Sequence, residues 1–191
     1  MTRNTQLKLF SQLGSEPWAN GAGRTRLIHS HVEGGRGAKR DVLWRLSLAE
    51  LAQSAPFSQL PDLDRVFTLA SPGPVALIVD DVERSLLLGE SAEFRGESTT
   101  KVELTTGQRR WALNLMTHRN LCTGTTTVHH FDGQITLNPA EGVVAATILS
   151  GYAVDGRGRI VPRLATLILG DLPEYVIGKE CLAAISSVRR R

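Results

Sequence analysis

The sequence predicts a mainly β protein built as two jelly-roll lobes, and three observations lead there. Short apolar runs recur along the whole chain, and nearly every one ends at Gly, Pro, Asn or Asp, which is how strands joined by tight turns read. No long stretch carries the apolar spacing of an amphipathic helix. The strands outnumber what one small barrel needs, and 191 residues is length enough for two.

Leu7–Phe10 alternates weakly, and Pro17-Trp18-Ala19-Asn20-Gly21-Ala22-Gly23 follows as an aromatic, glycine-rich turn where small residues permit close backbone approach. Its glycines are not a dinucleotide loop, because no apolar strand leads in and 25–29 reads as a strand leading out. Ser30–Asp41, rich in Gly, Arg and His, reads as an exposed hairpin loop. Val42–Leu48 is the first strong strand: Trp44, Leu46 and Leu48 point to a core, leaving Arg45 and Ser47 together on the opposite face. Ala49–Ala52 reads as one helical turn, and Ala55–Ser58 and Pro61-Asp62 as turns.

Strands follow at 65–70 and 75–79, with Asp80-Asp81 closing a hairpin. Further short strands are expected at 85–88, 92–94, 100–104, 111–116, 124–131, 135–137, 143–149, 152–154, 159–161 and 165–169, with turns that include one at Gly107. Val176–Ile185 reads as a last strand or short helix, and Arg189–Arg191 as a ragged, solvated tail. The first lobe is expected over 1–118 and the second over 119–191. No internal repeat marks the two.

Composition restricts function. With 22 Lys+Arg against 19 Asp+Glu the charges nearly balance, and no basic run is interleaved with aromatics, so a nucleic-acid surface is not expected. No apolar run is long enough to span a bilayer and the N-terminus reads as no signal peptide, so the chain is placed in the cytoplasm, with Cys122 and Cys181 as reduced thiols.

Ser47, Ser58, Cys122, His118, His129, His130 and Asp64 supply parts of a nucleophilic triad, but there is no nucleophile-elbow motif to assemble them. His29-Ser30-His31 has the spacing of two metal ligands on one strand face, whereas the adjacent His129-His130 point to opposite faces. A polar pocket for an organic anion remains. Arg45, Asp64-Arg65 and Asn114 would hold a carboxylate, with Trp18, Trp44 or Phe57 as walls. The alternative for the same residues is structural: a turn at Asp64-Arg65, core aromatics, and Asn114 satisfying a buried backbone group.

Seven pieces of sequence also occur in a fixed order. They are Pro17–Thr25, Trp44-Arg45-Leu46-Ser47-Leu48-Ala49, Pro56-Phe57-Ser58, Pro61, Asp64-Arg65, Phe94-Arg95-Gly96-Glu97 and Asn114-Leu115-Met116. Through them the first two-thirds of the chain resembles the HutD/Ves family, proteins encoded with the histidine-utilisation genes of bacteria; beyond Arg119 the likeness is diffuse. The resemblance implies a bicupin with no established catalysis, and no cofactor or metal is expected. It implies that the protein moderates histidine breakdown by sensing or sequestering a carboxylate such as urocanate or formimidoylglutamate. The implied ligand-binding positions are Trp18, Asn20, Thr25, Arg45, Ser47, Phe57, Asp64, Arg65, Asn114 and Met116.

The chain departs from the family pattern at Ala22 within the glycine triplet, at Ala55, Arg26 and Trp111-Ala112, and at His118-Arg119, where paired arginines are usual. Two alternatives stay open. One is a metal-dependent cupin enzyme acting on a small organic acid through His29, His31 or His129-His130. The other is a ligand-free interaction scaffold using 34–40 and the arginine tail. A homodimer is also open, while nucleic-acid and membrane partners are not expected.

Overall fold

The computed structural model describes residues 2–33, 41–105 and 108–191. Of the expected loop at Ser30–Asp41, residues 30–33 and 41 are strand instead, and 34–40 lie outside the described residues, as does the turn at Gly107. Among those described there is no α-helix, only 3-10 turns at Phe10–Gln12 and Pro139–Glu141. No helix is long and apolar enough to cross a membrane.

The strands in chain order are β1 (Gln6–Lys8), β2 (Glu16–Pro17), β3 (Gly23–Glu33), β4 (Asp41–Leu51), β5 (Ala55–Pro56), β6 (Leu63–Leu69), β7 (Val75–Val79) and β8 (Val82–Leu86). They continue with β9 (Ser91–Arg95), β10 (Thr100–Glu103), β11 (Arg110–His118), β12 (Cys122–Leu137), β13 (Val143–Asp155), β14 (Ile160–Val161), β15 (Thr166–Ile168) and β16 (Glu174–Arg190). The chain divides into two units: Gly14–Gly124 with Arg190–Arg191, and Thr125–Arg189 with the segment up to Leu13. The N-terminal segment, counted with the first lobe from sequence, supplies β1 to the second unit, where Gln6 lies opposite Ile168 of β15.

The first unit holds two sheets, ordered β2-β3-β4-β11-β6-β9 and β5-β10-β7-β8. Both contribute to one core: Ala49, Leu51, Phe67, Leu69, Ala92 and Ala112 from the larger sheet, Val75, Leu77, Leu86 and Val102 from the smaller. Asp80 and Asp81, both at positive φ (47° and 65°), make the two-residue turn that pairs β7 with β8, a geometry short acidic side chains tolerate.

The second unit is a sheet in the order β1-β15-β13-β16-β12, with β14 on β13. Its core gathers Leu137, Ile148, Leu167, Val176 and Cys181. Cys122 and Cys181 are both free and buried, and burial pushes the Cys181 thiol up to about 11.

Three local expectations are corrected. Ala49–Leu51 is not a helical turn but the end of β4, because Leu51 pairs with Gly23 on one side and Arg110 on the other; ladder bonds on both edges override the helix preference of Ala, Glu and Leu. Residues 176–185 lie inside the 17-residue strand β16, which takes in Arg189 and Arg190 as well, so the tail is ordered and Arg191 N–H donates to Leu121 O at 3.1 Å. The pairs 124–131/135–137 and 143–149/152–154 are not separate strands. They are continuous as β12 and β13, and β13 is interrupted only by register shifts around Ser150 and Gly151.

Candidate anion-binding pocket

β4 is buried on both faces, and this positions the site. Trp44, Leu46 and Leu48 are buried, as alternation requires, but the core between the two sheets of the first unit uses the other face, through Ala49 and Leu51. Arg45 and Ser47 share that inner face, so they extend the core stripe of β4 into polar chemistry.

Register then builds the site row by row, since residues directly opposite across a ladder project from the same face. Ala49 lies beside Thr25 and Ala112, and Ala112 beside Leu69. One row on, Asn114 sits between Ser47 and Phe67. In the next, Met116 sits between Arg45 and Arg65, and Arg65 is opposite Phe94. The inner face therefore runs from apolar core to a polar row to a cationic row.

These rows open into a cavity of about 330 Å³, a volume suited to a small organic molecule. Nine of the ten sequence-predicted positions line it: Trp18, Asn20, Thr25, Arg45, Ser47, Phe57, Arg65, Asn114 and Met116. Ala19, Ala49, Pro56, Ser58 and Leu60 line it too and were not predicted; Pro56 and Ser58 flank Phe57 in one of the recognised pieces and were the legible signal.

The turn after β2 supplies one wall. Trp18 Nε1–H donates to Thr25 Oγ1 (2.8 Å), and Asn20 Oδ1 accepts from Ala22 N–H (3.0 Å). Gly23 is needed here, since a Cβ would meet the Glu50 carbonyl oxygen and the Trp18 ring.

Arg65 is 7% exposed. Its guanidinium carbon lies 4.9 Å from the Phe57 ring centroid and 5.2 Å from that of Phe94, and one terminal N–H reaches Asn114 Oδ1 at 3.4 Å. Its Nε and that of Arg45 are buried without a hydrogen-bond partner. Burial, with the like charge of Arg45 added, lowers the Arg65 guanidinium to about 10, which leaves it charged at neutral pH. Among the described residues no carboxylate lines the cavity. Two arginines thus face a space with no counter-charge of its own, an arrangement that attracts an anion.

Asp64 is the exception among the predicted positions. Alternation turns it away from Arg65, and it accepts from Arg119 Nε at 2.7 Å on the other side of β6. Arg119 also binds both carboxylate oxygens of Glu97 (3.1 and 2.7 Å) and the Leu63 carbonyl (2.9 Å). Glu97 Oε1 in turn accepts from Asp62 N–H at 3.0 Å. Leu60 and Gly96 exchange a backbone bond of 2.7 Å, and Phe57 N–H donates to Thr100 O at 2.8 Å. Asp64, Glu97 and Arg119 are therefore a clamp that ties down the segment carrying Phe57, Ser58 and Leu60. Sequence reading placed Asp64 in the pocket and gave Arg119 no role, because the partners are far apart along the chain.

The histidines proposed as ligands lie elsewhere. His29 and His31 flank the Trp44 ring, with centroids 4.9 and 6.1 Å away, and His129 shares a hydrogen bond with Thr127. Among the described residues no three or more His, Cys, Asp or Glu gather as a metal site.

Fold and pocket define a mainly β, two-lobed cupin whose first lobe carries an arginine-lined cavity. Comparison with known proteins gives it a family. The HutD family model matches residues 11–167, and Protein Ves of Cronobacter sakazakii is 36% identical over 150 residues, 78% of this chain and 76% of that relative. The chain belongs to the HutD family.

Among solved structures, HutD from Pseudomonas fluorescens SBW25 superposes with a TM-score of 0.81 at 23% identity, covering 98% of this chain and 99% of that one. A conserved protein of unknown function from Pseudomonas aeruginosa PAO1 gives 0.81 at 18% identity, over 97% and 99% of the two chains. A Cupin 2 conserved barrel domain protein from Leptotrichia buccalis gives 0.57 at 12% identity, over 97% and 96%. At these identities the likeness establishes the fold, and it extends across both lobes.

Proposed function

We propose that this protein binds a small carboxylate without transforming it, and that it serves in the cytoplasm as a regulatory sensor or sink for an intermediate of histidine breakdown, urocanate or formimidoylglutamate. The observation that carries this reading is the pair of buried Nε–H groups of Arg45 and Arg65, unpartnered in a cavity that no acid among the described residues lines. Membership of the HutD family supports the metabolic setting. Binding rather than reaction fits the lining: Ser47 and Ser58 are its hydroxyl nucleophiles together with Thr25, and no histidine lines the cavity to act as their base.

The test is thermal melting with urocanate and with formimidoylglutamate, each added separately. A concentration-dependent rise is expected in the wild type and none in Arg65→Ala, whose loss of a charged, forked donor costs about 2 kcal/mol or more of binding. If neither compound raises the melting temperature of the wild type, the reading is wrong.

A further inference from the structure

The two arginines do more than mark an anion site; their placement sets how many anionic groups the ligand carries. Arg45 and Arg65 stand on the same row of one sheet face, separated by a single strand whose residue at that position is Met116. Adjacent strands lie about 4.8 Å apart, so the two side chains rise from backbone points about 10 Å apart and converge on one cavity from opposite sides. Neither has an ion-pair partner among the described residues, and each keeps a buried Nε–H with no acceptor. The nearest predicted counter-charge, Asp64, is committed to Arg119.

A single carboxylate brings one negative charge to two guanidiniums, so even when shared between them it leaves one positive charge of the pair unbalanced in the cavity. Two carboxylates joined by a short chain meet both forks, with the neutral, adaptable Met116 beneath the linking atoms.

Resting on the carboxylate-binding reading above, we infer that the cognate ligand is a short dicarboxylate whose two carboxylates bridge Arg45 and Arg65 across Met116. Of the two compounds considered above, formimidoylglutamate has two carboxylates, beside a formimidoyl group that is cationic at neutral pH, and urocanate has one.

The experiment is titration calorimetry of the wild-type chain with succinate, glutarate and adipate, each compared with its own monoamide, which keeps the shape and removes one charge. At least one diacid is expected to bind about tenfold or more tightly than its monoamide. In Arg45→Gln the ratio of diacid to monoamide affinity is expected to fall below about threefold, because the second carboxylate has lost its partner. Equal binding of every diacid and its monoamide to the wild type overturns the dicarboxylate inference and leaves the carboxylate reading standing if urocanate still binds. Failure of every diacid, monoamide and of urocanate and formimidoylglutamate overturns both. The wild-type comparison needs no variant, so a folding defect in Arg45→Gln does not blunt it.

Discussion

Arg65 holds a positive charge where protein, not water, surrounds it, and among the described residues its polar side-chain contact is the long one to Asn114. A carboxylate installed at that position would do the ligand's work permanently. Asn114→Asp is therefore expected to fold with a melting temperature no lower than the wild type, by pairing with Arg65, and to weaken carboxylate binding about tenfold or more, read by calorimetry. A lower melting temperature with unchanged binding would mean that Asn114 does not face Arg65 in solution. The site was partly legible here. Alternation alone put Arg45 and Ser47 on one face of their strand, and Arg45, Arg65 and Asn114 with aromatic walls read as a pocket for an anion. Alternation also shows why Asp64 fails: it is adjacent to Arg65 in sequence and so must leave on the opposite face of β6.

The segment between β5 and β6 has no ladder of its own along Phe57–Asp62, so its position depends on the Arg119–Glu97–Asp64 clamp and on the bonds to Gly96 and Thr100. Hydrogen bonding to Arg119, first among the causes, holds the Glu97 carboxyl down at about 2 against an ordinary 4.5. A carboxylate lowered in the folded state contributes stability above its unfolded value and loses it as pH falls through its folded one. The stability gap between wild type and Glu97→Gln should hence be full above about pH 5 and shrink between about 4.5 and 2; a gap that does not change over that window, measured by denaturant midpoints, would exclude the ionised clamp.

Gly96 makes a steric demand in the same place, because a Cβ would drive into the Leu60 carbonyl oxygen. Gly96→Ala should cost about 1–3 kcal/mol and weaken ligand binding as well, since Leu60 and Phe57 move with the segment. Sequence reading saw the turn residues of this segment and not the clamp, because no local periodicity links positions 64, 97 and 119.

All fourteen residues that line the cavity belong to the unit Gly14–Gly124, and half of them stand on the larger of its two sheets. Ligand binding should therefore slow amide exchange across Gly14–Gly124 and raise global stability by mass action, about 2.7 kcal/mol when free ligand is a hundredfold above its Kd. Protection that appears instead only in Thr125–Arg189 would move the site to the other unit. Phe67, fully buried between Asn114 and Ala92, joins the core to the polar row, and Phe67→Ala is expected to cost about 3–5 kcal/mol in chemical unfolding.

The sequence by itself determined the β class, the two-lobed build, most of the strand positions and the family, because period-2 apolar patterning and turn residues are local signals and the family's pieces keep their order along the chain. Nine of the ten positions named through the resemblance line one cavity. Only the tertiary structure decided which face of β4 is the inside of the barrel, since the face that carries the polar pair Arg45 and Ser47 is the one that turns inward. It decided too that 49–51 is strand, that 174–190 is one continuous strand, and that β1 joins the second unit, because each follows from ladder partners far away in sequence. Register alone set Arg45 and Arg65 on either side of Met116, and that spacing is the physical basis for expecting a ligand with two negative ends.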